Sequence, residues 1–398
     1  MSLSIAGCGA APTSSTRAPS ESDASASGEA SASSESDSSS SAATSAATAS
    51  SSGSEDTSGA ETTSATTDGR RVLVGGRVAG GGRLDLELED GFITAVGVFD
   101  GATLEGAEVI DVTGKWLCPA FIDSHVHLAY LPVASSLAAR GVAAAVDLAA
   151  PLPFLERLPT RPRVLASGPM VTAVAGYPTL GWGANGYGIE CADATAAVAA
   201  VDLVVSAGAA VVKLPITNPP TLDPVALAAA TARAHEHGLK VVTHALEDKH
   251  VQLARAAGVD VLGHTPVLPL EPATATGWGG RAVVTTLAAF GASQATLDNL
   301  GALRDAGATI LYGTDLGNSQ DAGIQAAELA AMMTAGLDGA AILAAGTLTP
   351  ASYWGLDTLG SLEVGKAASV LVLDEDPVSA PMTLSAPAMV FMDGELLP

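Results

Sequence analysis

Short strand-like runs alternate with alanine-rich helical segments through the central part of the chain. Eight strand-like runs occur at residues 121–127, 142–148, 163–168, 209–214, 240–245, 259–264, 282–287 and 308–314. Helical segments are predicted at residues 192–207, 224–237, 249–257, 294–305 and 322–334. Strands connected through helices pair in parallel, with right-handed crossovers. This alternation predicts an α/β fold, with a TIM (β/α)8 barrel over residues 119–357.

Polar side chains stand at the C-terminal ends of five of these runs. His125 and His127 close the run Pro119-Ala-Phe-Ile-Asp-Ser-His-Val-His127, and residues i and i+2 of a strand point to the same face. Four later runs end in Lys213, His244, His264 and Asp315. Parallel β/α barrels build their active sites at the C-terminal ends of the strands. The six side chains are therefore expected to meet at one mouth of the barrel.

Each of these side chains taken alone has an ordinary structural interpretation. A His-x-His pair on a strand can belong to the barrel interior, and His264 can be a buried, hydrogen-bonded histidine. Lys213 can extend its amine to solvent or pair with an acid, and Asp315 can serve a turn or a helix cap. The order of all six along successive strand ends favours a metal site over these alternatives.

A second His-x-His pair, His235 and His237, lies in helical sequence. Residues i and i+2 of a helix point about 200° apart, so these two side chains cannot share a metal ion. We expect both to lie on the surface near a helix C-terminus. His250, at the start of the next predicted helix, is also expected to be exposed.

Short alternating apolar runs separated by glycine-rich turns occupy residues 70–118 and 358–398. This pattern predicts that both ends of the ordered chain combine into one small β-sandwich domain. Residues 1–69 are mostly serine, alanine, threonine, glycine and acids, and are predicted to be disordered because they cannot bury enough apolar surface. The run ending in Cys8 is similar to a bacterial lipobox, but seven residues are too few for a signal peptide.

The bulk composition excludes some classes of partner. A formal net charge of −24 repels phosphate backbones, so nucleic-acid binding is not expected. Three cysteines, Cys8, Cys118 and Cys191, are too few for a disulfide framework. The location stays open between the cell envelope, if Cys8 carries a lipid anchor, and the cytoplasm. Assembly into a homo-oligomer is also left open.

The loop after the third predicted strand, residues 174–188, is rich in glycine and aromatic residues. Its side chains Tyr177, Trp182, Asn185 and Tyr187 are candidates for a substrate-binding wall, although a packed rim loop is an equal alternative. Residues 266–280, with Glu271 and Trp278, form a second candidate wall. The short connections at residues 128–141 and 265–281 predict a barrel with a more open mouth or with outer helices missing.

Four motifs carry a resemblance to a known family. They are the run from Gly114 to His127, Ala234-His-Glu-His-Gly-Leu-Lys-Val-Val-Thr-His244, Gly258-Val-Asp-Val-Leu-Gly-His-Thr-Pro266 and Gly360-Ser-Leu-Glu-Val-Gly-Lys-Ala-Ala368. From about Arg71 to Leu397 the chain resembles the amidohydrolase superfamily, specifically its imidazolonepropionase-like and prolidase-like branch.

The resemblance implies a centre of two divalent metal ions, with zinc as the first choice. His125 and His127 would hold one ion together with Asp315, and His244 and His264 would hold the other. Lys213 lies among apolar neighbours that lower an amine pKa, and in the family such a lysine adds CO2 to become a carbamate that bridges two metals.

The expected reaction is hydrolysis of an amide bond by attack of a metal-bridging hydroxide on the carbonyl, with Asp315 transferring the proton. The expected substrate is a small dipeptide-like, N-acyl or cyclic amide. An alternative is hydrolysis of a lactone, another ester or a phosphotriester at the same site. A third interpretation, from a different class, is a tethered binding protein with an idle barrel.

Overall fold

The computed structural model describes residues 69–102 and 104–398. The predicted tail, except Gly69, and the lipobox cysteine Cys8 lie outside the described residues. None of the helices in the described part of the chain combines the length and apolar character that a membrane span requires.

The described residues form eighteen strands, ten α-helices and two 3₁₀ turns. The strands are β1 (Arg71–Val78), β2 (Arg83–Glu89), β3 (Phe92–Gly97), β4 (Glu108–Asp111), β5 (Trp116–Pro119), β6 (Phe121–Val126), β7 (Val142–Asp147), β8 (Arg163–Ala166), β9 (Met170–Ala173), β10 (Gly188–Cys191), β11 (Val212–Pro215), β12 (Val241–His244), β13 (Val261–Leu262), β14 (Ala282–Val284), β15 (Thr309–Leu311), β16 (Val370–Leu373), β17 (Met389–Met392) and β18 (Glu395–Leu396). The helices are α1 (Ala134–Ala139), α2 (Leu152–Leu155), α3 (Ala194–Ser206), α4 (Pro224–Glu236), α5 (Asp248–Ala256), α6 (Pro272–Trp278), α7 (Gln294–Asp305), α8 (Ala326–Thr334), α9 (Gly339–Gly346) and α10 (Leu348–Trp354). The 3₁₀ turns are Ala288–Phe290 and Pro381–Ser385.

Strands from both ends of the described chain share one eight-stranded sheet. Its order is β18-β17-β16-β5-β1-β2-β3, and β4 pairs with β1. The two ends meet where β5 runs antiparallel to β16, with Cys118 opposite Leu371. Buried apolar side chains such as Leu86, Ile93 and Phe391 form a separate core cluster of this sheet. The common sheet was expected; its description as a β-sandwich, and the domain boundaries, stay predictions.

Each of the eight strand-like runs in the centre of the chain overlaps an observed strand. Strands β6-β7-β8 form one parallel sheet, and β11-β12-β13-β14-β15 form another. Backbone hydrogen bonds join these two sheets at both edges. The Ser124 amide donates to the Tyr312 carbonyl at 2.9 Å, and the Ala210 amide donates to the Ala166 carbonyl at 2.9 Å. The fold is therefore a mixed α/β fold in which the ends of β6 and β15 lie side by side.

The sequence of the central strands explains why they form the core. Every residue of β6 and β7 is buried, as expected for parallel strands covered on both faces. Helices α3, α4, α7 and α9 begin after side chains that accept a hydrogen bond from the helix's own first turn, namely Asp193, Asp223, Ser293 and Asp338.

The connections that looked too short for helices each contain one. Helix α1 lies within residues 128–141, and α6 lies within residues 265–281, so the expectation of missing outer helices is wrong. Trp278 of α6 is fully buried, and its indole Nε1 donates to the Ala282 carbonyl at 3.0 Å. Trp278 is therefore a core residue, and the assignment of this segment to a substrate wall is not supported.

Candidate active site

A cavity of about 560 Å³ opens at the C-terminal ends of the central strands. We call it the central cavity. Its lining consists of His125, His127, Tyr130, Met170, Tyr177, Trp182, Lys213, His244, His264, Phe290, Asp315, Gly317 and Asn318. All six metal-ligand candidates from the sequence analysis belong to this lining. The structure thus brings together side chains from β6, β11, β12 and the segments that follow β13 and β15.

His125 and His127 face one carboxylate. His125 Nδ1 lies 2.6 Å from the Gly263 carbonyl oxygen, which can only accept, so Nδ1 carries the hydrogen and Nε2 is left as the free ligand nitrogen. The Nε2 atoms of His125 and His127 lie 3.4 Å and 3.1 Å from Asp315 Oδ1. The two histidines and Asp315 therefore lie together, and their sharing of one metal ion stays a prediction.

Asp315 adopts a backbone conformation with a φ of 52°, which is uncommon for a residue with a side chain. Its amide donates to the His125 carbonyl at 2.9 Å, and Asn318 Nδ2 donates to its Oδ2 at 3.2 Å. Burial alone would raise the pKa of Asp315, but the neighbouring His125, His264 and His127 hold it well below its usual value. Asp315 is therefore an ionised carboxylate near neutral pH.

His264 completes a compact group of three ligands. One ligand atom each from His125, His264 and Asp315 lie within 4.8 Å of one another, close enough to hold a metal ion. The ring centroids of His264 and His244 are 4.8 Å apart, and Thr286 Oγ1 lies 3.1 Å from His264 Nδ1. The expected division of the histidines into one pair for each metal ion stays a prediction, because His264 lies close to His125 as well as to His244.

Lys213 is 1% exposed, and its Nζ is buried without a hydrogen-bond partner. Burial lowers the pKa of this amine to about 7. Burial also lowers the pKa of His125 and of His264, and it lowers that of His244 to about 3. These three histidines are therefore neutral at pH 7, which is the protonation state that binds metal ions.

The donor set fits a divalent metal ion. Buried polar atoms in proteins are nearly always hydrogen-bonded, yet His125 Nε2 and Lys213 Nζ have no such partner. Imidazole nitrogens together with a carboxylate suit Zn²⁺ and also Mn²⁺, Fe²⁺ or Co²⁺. Coordination would give the free His125 nitrogen the partner that the protein does not supply.

Aromatic side chains from the loop after β9 cover the histidines. The Tyr177 ring stacks on His244 with centroids 4.9 Å apart, and the Trp182 ring meets His127 at 5.4 Å. Trp182 Nε1 donates to the Tyr177 hydroxyl at 3.1 Å. Tyr187 is buried behind Trp182, with centroids 5.3 Å apart, whereas Asn185 is exposed. Tyr177 and Trp182 line the central cavity, whereas Asn185 and Tyr187 are not part of its lining, and a substrate role for these side chains stays a prediction.

Four other side chains of the lining were not anticipated: Tyr130, Met170, Phe290 and Asn318. The Phe290 ring lies 4.9 Å from that of His264. Each of the four lies in a segment near the C-terminal end of a central strand, or in β9, which follows closely after β8. Position after a strand was the one available signal, and it does not tell which side chain of a loop turns inward.

Buried carboxylates hold the ligand-bearing segments. Asp123 accepts hydrogen bonds from the amides of His125 and Thr314, each at 3.1 Å, and from Thr314 Oγ1 at 2.6 Å. Glu328 of α8 accepts from the amides of Leu287 and Ala288, at 3.0 Å and 2.8 Å, in the loop that ends at Phe290. The positioning role of Glu328 was not anticipated from the sequence.

The other three histidines lie outside the central cavity. His235 pairs with Asp260 at 2.9 Å and His237 pairs with Asp202 at 2.8 Å, so the two side chains contact different carboxylates. His250, expected to be exposed, is only 6% exposed. That expectation is wrong because His250 lies on the inner face of α5, together with Val251 and Ala254.

Sequence comparisons find similarity over part of the chain. Residues 287–397 match the model of the Amidohydrolase family. Adenine deaminase from Desulfitobacterium hafniense (strain Y51) is 46% identical over 44 residues, which are 11% of this chain and 7% of that protein. Adenine deaminase from Methanococcoides burtonii is 49% identical over 45 residues, again 11% and 7%. The chain thus matches only a small part of these two relatives.

Solved structures with a similar fold cover most of the chain. A Xaa-Pro dipeptidase with bound methionine has a TM-score of 0.71 and 19% identity, over 82% of this chain and 99% of that one. The ochratoxinase of A. niger has a TM-score of 0.67 and 20% identity, over 82% and 95%. Molinate hydrolase has a TM-score of 0.66 and 17% identity, over 82% and 94%. At these identities the likeness establishes a common fold.

Proposed function

We propose that this chain is a member of the amidohydrolase superfamily and a metal-dependent hydrolase that cleaves a carbon–nitrogen bond of a small amide. One observation carries the proposal. The six side chains selected from strand ends in the sequence, which span nearly two hundred positions, line a single cavity. Convergence of histidines, a buried amine and a carboxylate is an arrangement that can support metal-dependent hydrolysis.

We infer that the central strands form a closed eight-stranded barrel. The hydrogen bonds between Ser124 and Tyr312, and between Ala210 and Ala166, support this because they connect the edges of the two parallel sheets. The order β6-β7-β8 followed by β11 to β15 is the order of a (β/α)8 barrel. The central cavity then lies at the face where such barrels place their active sites.

His125, His127 and Asp315 would hold one divalent ion, and His244 and His264 would hold a second, with zinc as the first choice. Bound there, the ions would polarise the substrate carbonyl and lower the pKa of water. The free Nε2 of His125, fixed by the bond from Nδ1 to Gly263, supports its role as a ligand.

Lys213 would add CO2 and become a carbamate. The lone pair of the neutral amine forms a bond to the carbon of CO2, and one N–H proton leaves to water, so the product carries one negative charge. Complete burial and the absence of a hydrogen-bond partner at Nζ support this modification, since an unpaired ammonium would be costly there. The new carboxylate oxygens are donors that a divalent ion accepts.

Asp315 would move the proton of the reaction. As an ionised carboxylate it can accept a proton from the attacking water and deliver it to the leaving nitrogen, which must depart as a neutral amine. Asn318 holds Oδ2 while His127 faces Oδ1, so the carboxylate has a fixed orientation. Tyr177 and Trp182 would form the wall that shields this step from bulk water.

The test uses the purified full-length protein, supplied with zinc or manganese. A panel of anilides, N-acyl amino acids, Xaa-Pro dipeptides, lactones and a phosphotriester separates the proposed activity from the alternatives. We expect turnover of at least one amide that a chelator abolishes and added metal restores. Activity confined to lactones or phosphotriesters would replace the proposal with the second hydrolase class. Inactivity on the whole panel with metal bound would favour an idle barrel.

A further inference from the structure

The central cavity has an apolar wall that reaches the candidate metal ligands. Rings of Tyr177, Trp182 and Phe290 lie against His244, His127 and His264, respectively. Met170, which is 2% exposed, and Tyr130 extend this surface. A substrate whose carbonyl reaches the histidines must therefore place its remaining atoms against aromatic and thioether surface. Such a surface favours an apolar group of about the size of a benzene ring.

Two polar groups at this wall already have partners within the protein. Trp182 Nε1 donates to the Tyr177 hydroxyl, so that oxygen accepts one bond and keeps only its own hydrogen to donate. Asn318 Nδ2 donates to Asp315 Oδ2. Neutral donors of this kind can bind a carbonyl oxygen, but they do not balance a negative charge.

Apart from Lys213, the described lining of the cavity offers no lysine or arginine that could bind a substrate carboxylate. Lys213 itself lies with the metal ligands. Lys249, which follows β12, is paired with Glu247 at 3.0 Å and donates to Asn218 at 2.6 Å. A substrate carboxylate would therefore face aromatic surfaces and Asp315 without a matching positive side chain, which disfavours it.

From these contacts we infer that the substrate is an uncharged amide, carbamate or urea that carries an aromatic-sized apolar group, and not a dipeptide or N-acyl amino acid with a free carboxylate. The inference rests on the proposed amide hydrolysis and narrows its substrate class. A volume of about 560 Å³ leaves room for such a molecule.

Three anilides with the same scissile bond test this charge preference. They are 4-nitroacetanilide, its 3-carboxamide, which is neutral and of matched size, and its 3-carboxylate. Nitroaniline release gives kcat/KM for each. We expect the two neutral compounds to agree within about tenfold and the carboxylate to be lower by about a hundredfold or more. Equal or faster turnover of the carboxylate would overturn the inference.

A binding measurement keeps this test independent of catalysis. Quenching of Trp182 fluorescence by the three compounds gives their dissociation constants, and Trp182→Phe identifies the signal that belongs to this side chain. Weaker binding of the carboxylate would support the inference even without turnover of any anilide, and the wider panel described above would then decide on the proposed amide activity. Tighter binding of the carboxylate than of the carboxamide would contradict the inference.

A designed change of charge at the mouth of the central cavity provides a second test of the charge preference. Tyr130 is 49% exposed and lines the cavity, so Tyr130→Arg places a cation there with little burial. We expect this variant to raise the carboxylate-to-carboxamide ratio of kcat/KM by about tenfold, and Tyr130→Gln, which removes the ring without adding charge, to leave the ratio unchanged. The same ratio in both variants would show that charge at this wall does not select the substrate.

Discussion

Gly263 leaves the space that the amine of Lys213 occupies. A Cβ atom built on Gly263 would lie 2.8 Å from Lys213 Nζ and 2.9 Å from the Thr243 carbonyl oxygen, closer than real Cβ contacts. The Gly263 carbonyl also accepts the hydrogen of His125 Nδ1 at 2.6 Å. One glycine therefore sets the positions of two candidate ligands on different strands.

Substitution of Gly263 by alanine should displace Lys213 or the backbone at the end of β13. We expect Gly263→Ala to lower metal content and to reduce kcat by at least about tenfold, with a loss of about 1–3 kcal/mol in the free energy of unfolding. Metal analysis, kinetics and urea unfolding measure the three effects. Gly301→Ala is the matched control, because a Cβ there meets nothing closer than 3.9 Å and alanine favours its helix. Unchanged metal content and kcat in Gly263→Ala would show that the glycine is not required.

Asp315→Asn should separate proton transfer from folding. Asparagine tolerates the positive φ of this position, so the backbone should be retained. We expect kcat to fall by about 10²–10⁴-fold, because an amide cannot accept the proton of the attacking water. Asp321→Asn, at an exposed carboxylate paired with Arg140, should leave kcat unchanged. Activity of Asp315→Asn within about tenfold of the parent would remove Asp315 from its assigned role.

Two threonines that precede ligands make a matched pair for stability. Thr314 Oγ1 donates to the buried Asp123 at 2.6 Å, whereas Thr243 Oγ1 makes one longer bond, at 3.3 Å, to the His244 carbonyl. Thr314→Val should lower the free energy of unfolding by about 1–3 kcal/mol, because it removes a hydrogen-bond donor from the buried carboxylate of Asp123. Thr243→Val should lower it by less than about 1 kcal/mol. Urea denaturation of both variants measures these losses. Equal losses of unfolding free energy in the two variants would refute the predicted order.

Glu328 should make folding stability depend on pH. Burial raises the pKa of this carboxyl from 4.5 to about 7, so the folded chain keeps a proton that the unfolded chain releases. The resulting stabilisation is fully present below pH 4.5 and is lost as pH rises through about 7. Its contribution to the free energy of unfolding is about 3 kcal/mol where it is fully present.

Glu328→Gln isolates this contribution. Glutamine cannot titrate, so the stability difference between parent and variant should shrink as pH rises from 5 to 7.5. Urea denaturation at several pH values measures it. A difference that stays constant over this interval would show that Glu328 has an ordinary pKa in the folded protein.

Much of the fold followed from local patterns in the sequence. Each central strand carries its own apolar run, and each ligand of the site stands at the end of one, so both could be located without knowledge of neighbours. The positions of loop side chains could not be predicted in this way. Trp182 and Trp278 both follow strands in glycine-containing segments, yet one lines the central cavity and the other fills the core. Contacts far along the chain decide between the two positions.

The same limit applies to the contacts that orient the ligands. The bond from His125 to Gly263 joins residues 138 positions apart, and the bond from Leu287 to Glu328 joins residues 41 apart. The sequence predicts neither of these hydrogen bonds. A buried glutamate such as Glu328 is rare, and nothing in the sequence marks the carbonyl of a glycine such as Gly263 as an acceptor. The burial of His250 likewise depends on which face α5 turns inward.

The proposed function depends on divalent metal held by the side chains around the central cavity. Metal content per chain, measured on the whole protein after gentle purification, is the decisive measurement. The double variant His125→Asn with His127→Asn removes the cavity pair. His235→Asn with His237→Asn removes the same spacing from α4 and its C-terminal end, where both histidines pair with surface acids. We predict one to two equivalents of metal in the parent and in the α4 variant, and loss of most of it in the cavity variant. Less than about half an equivalent in the parent, or full retention by a folded cavity variant, would contradict this assignment of the metal.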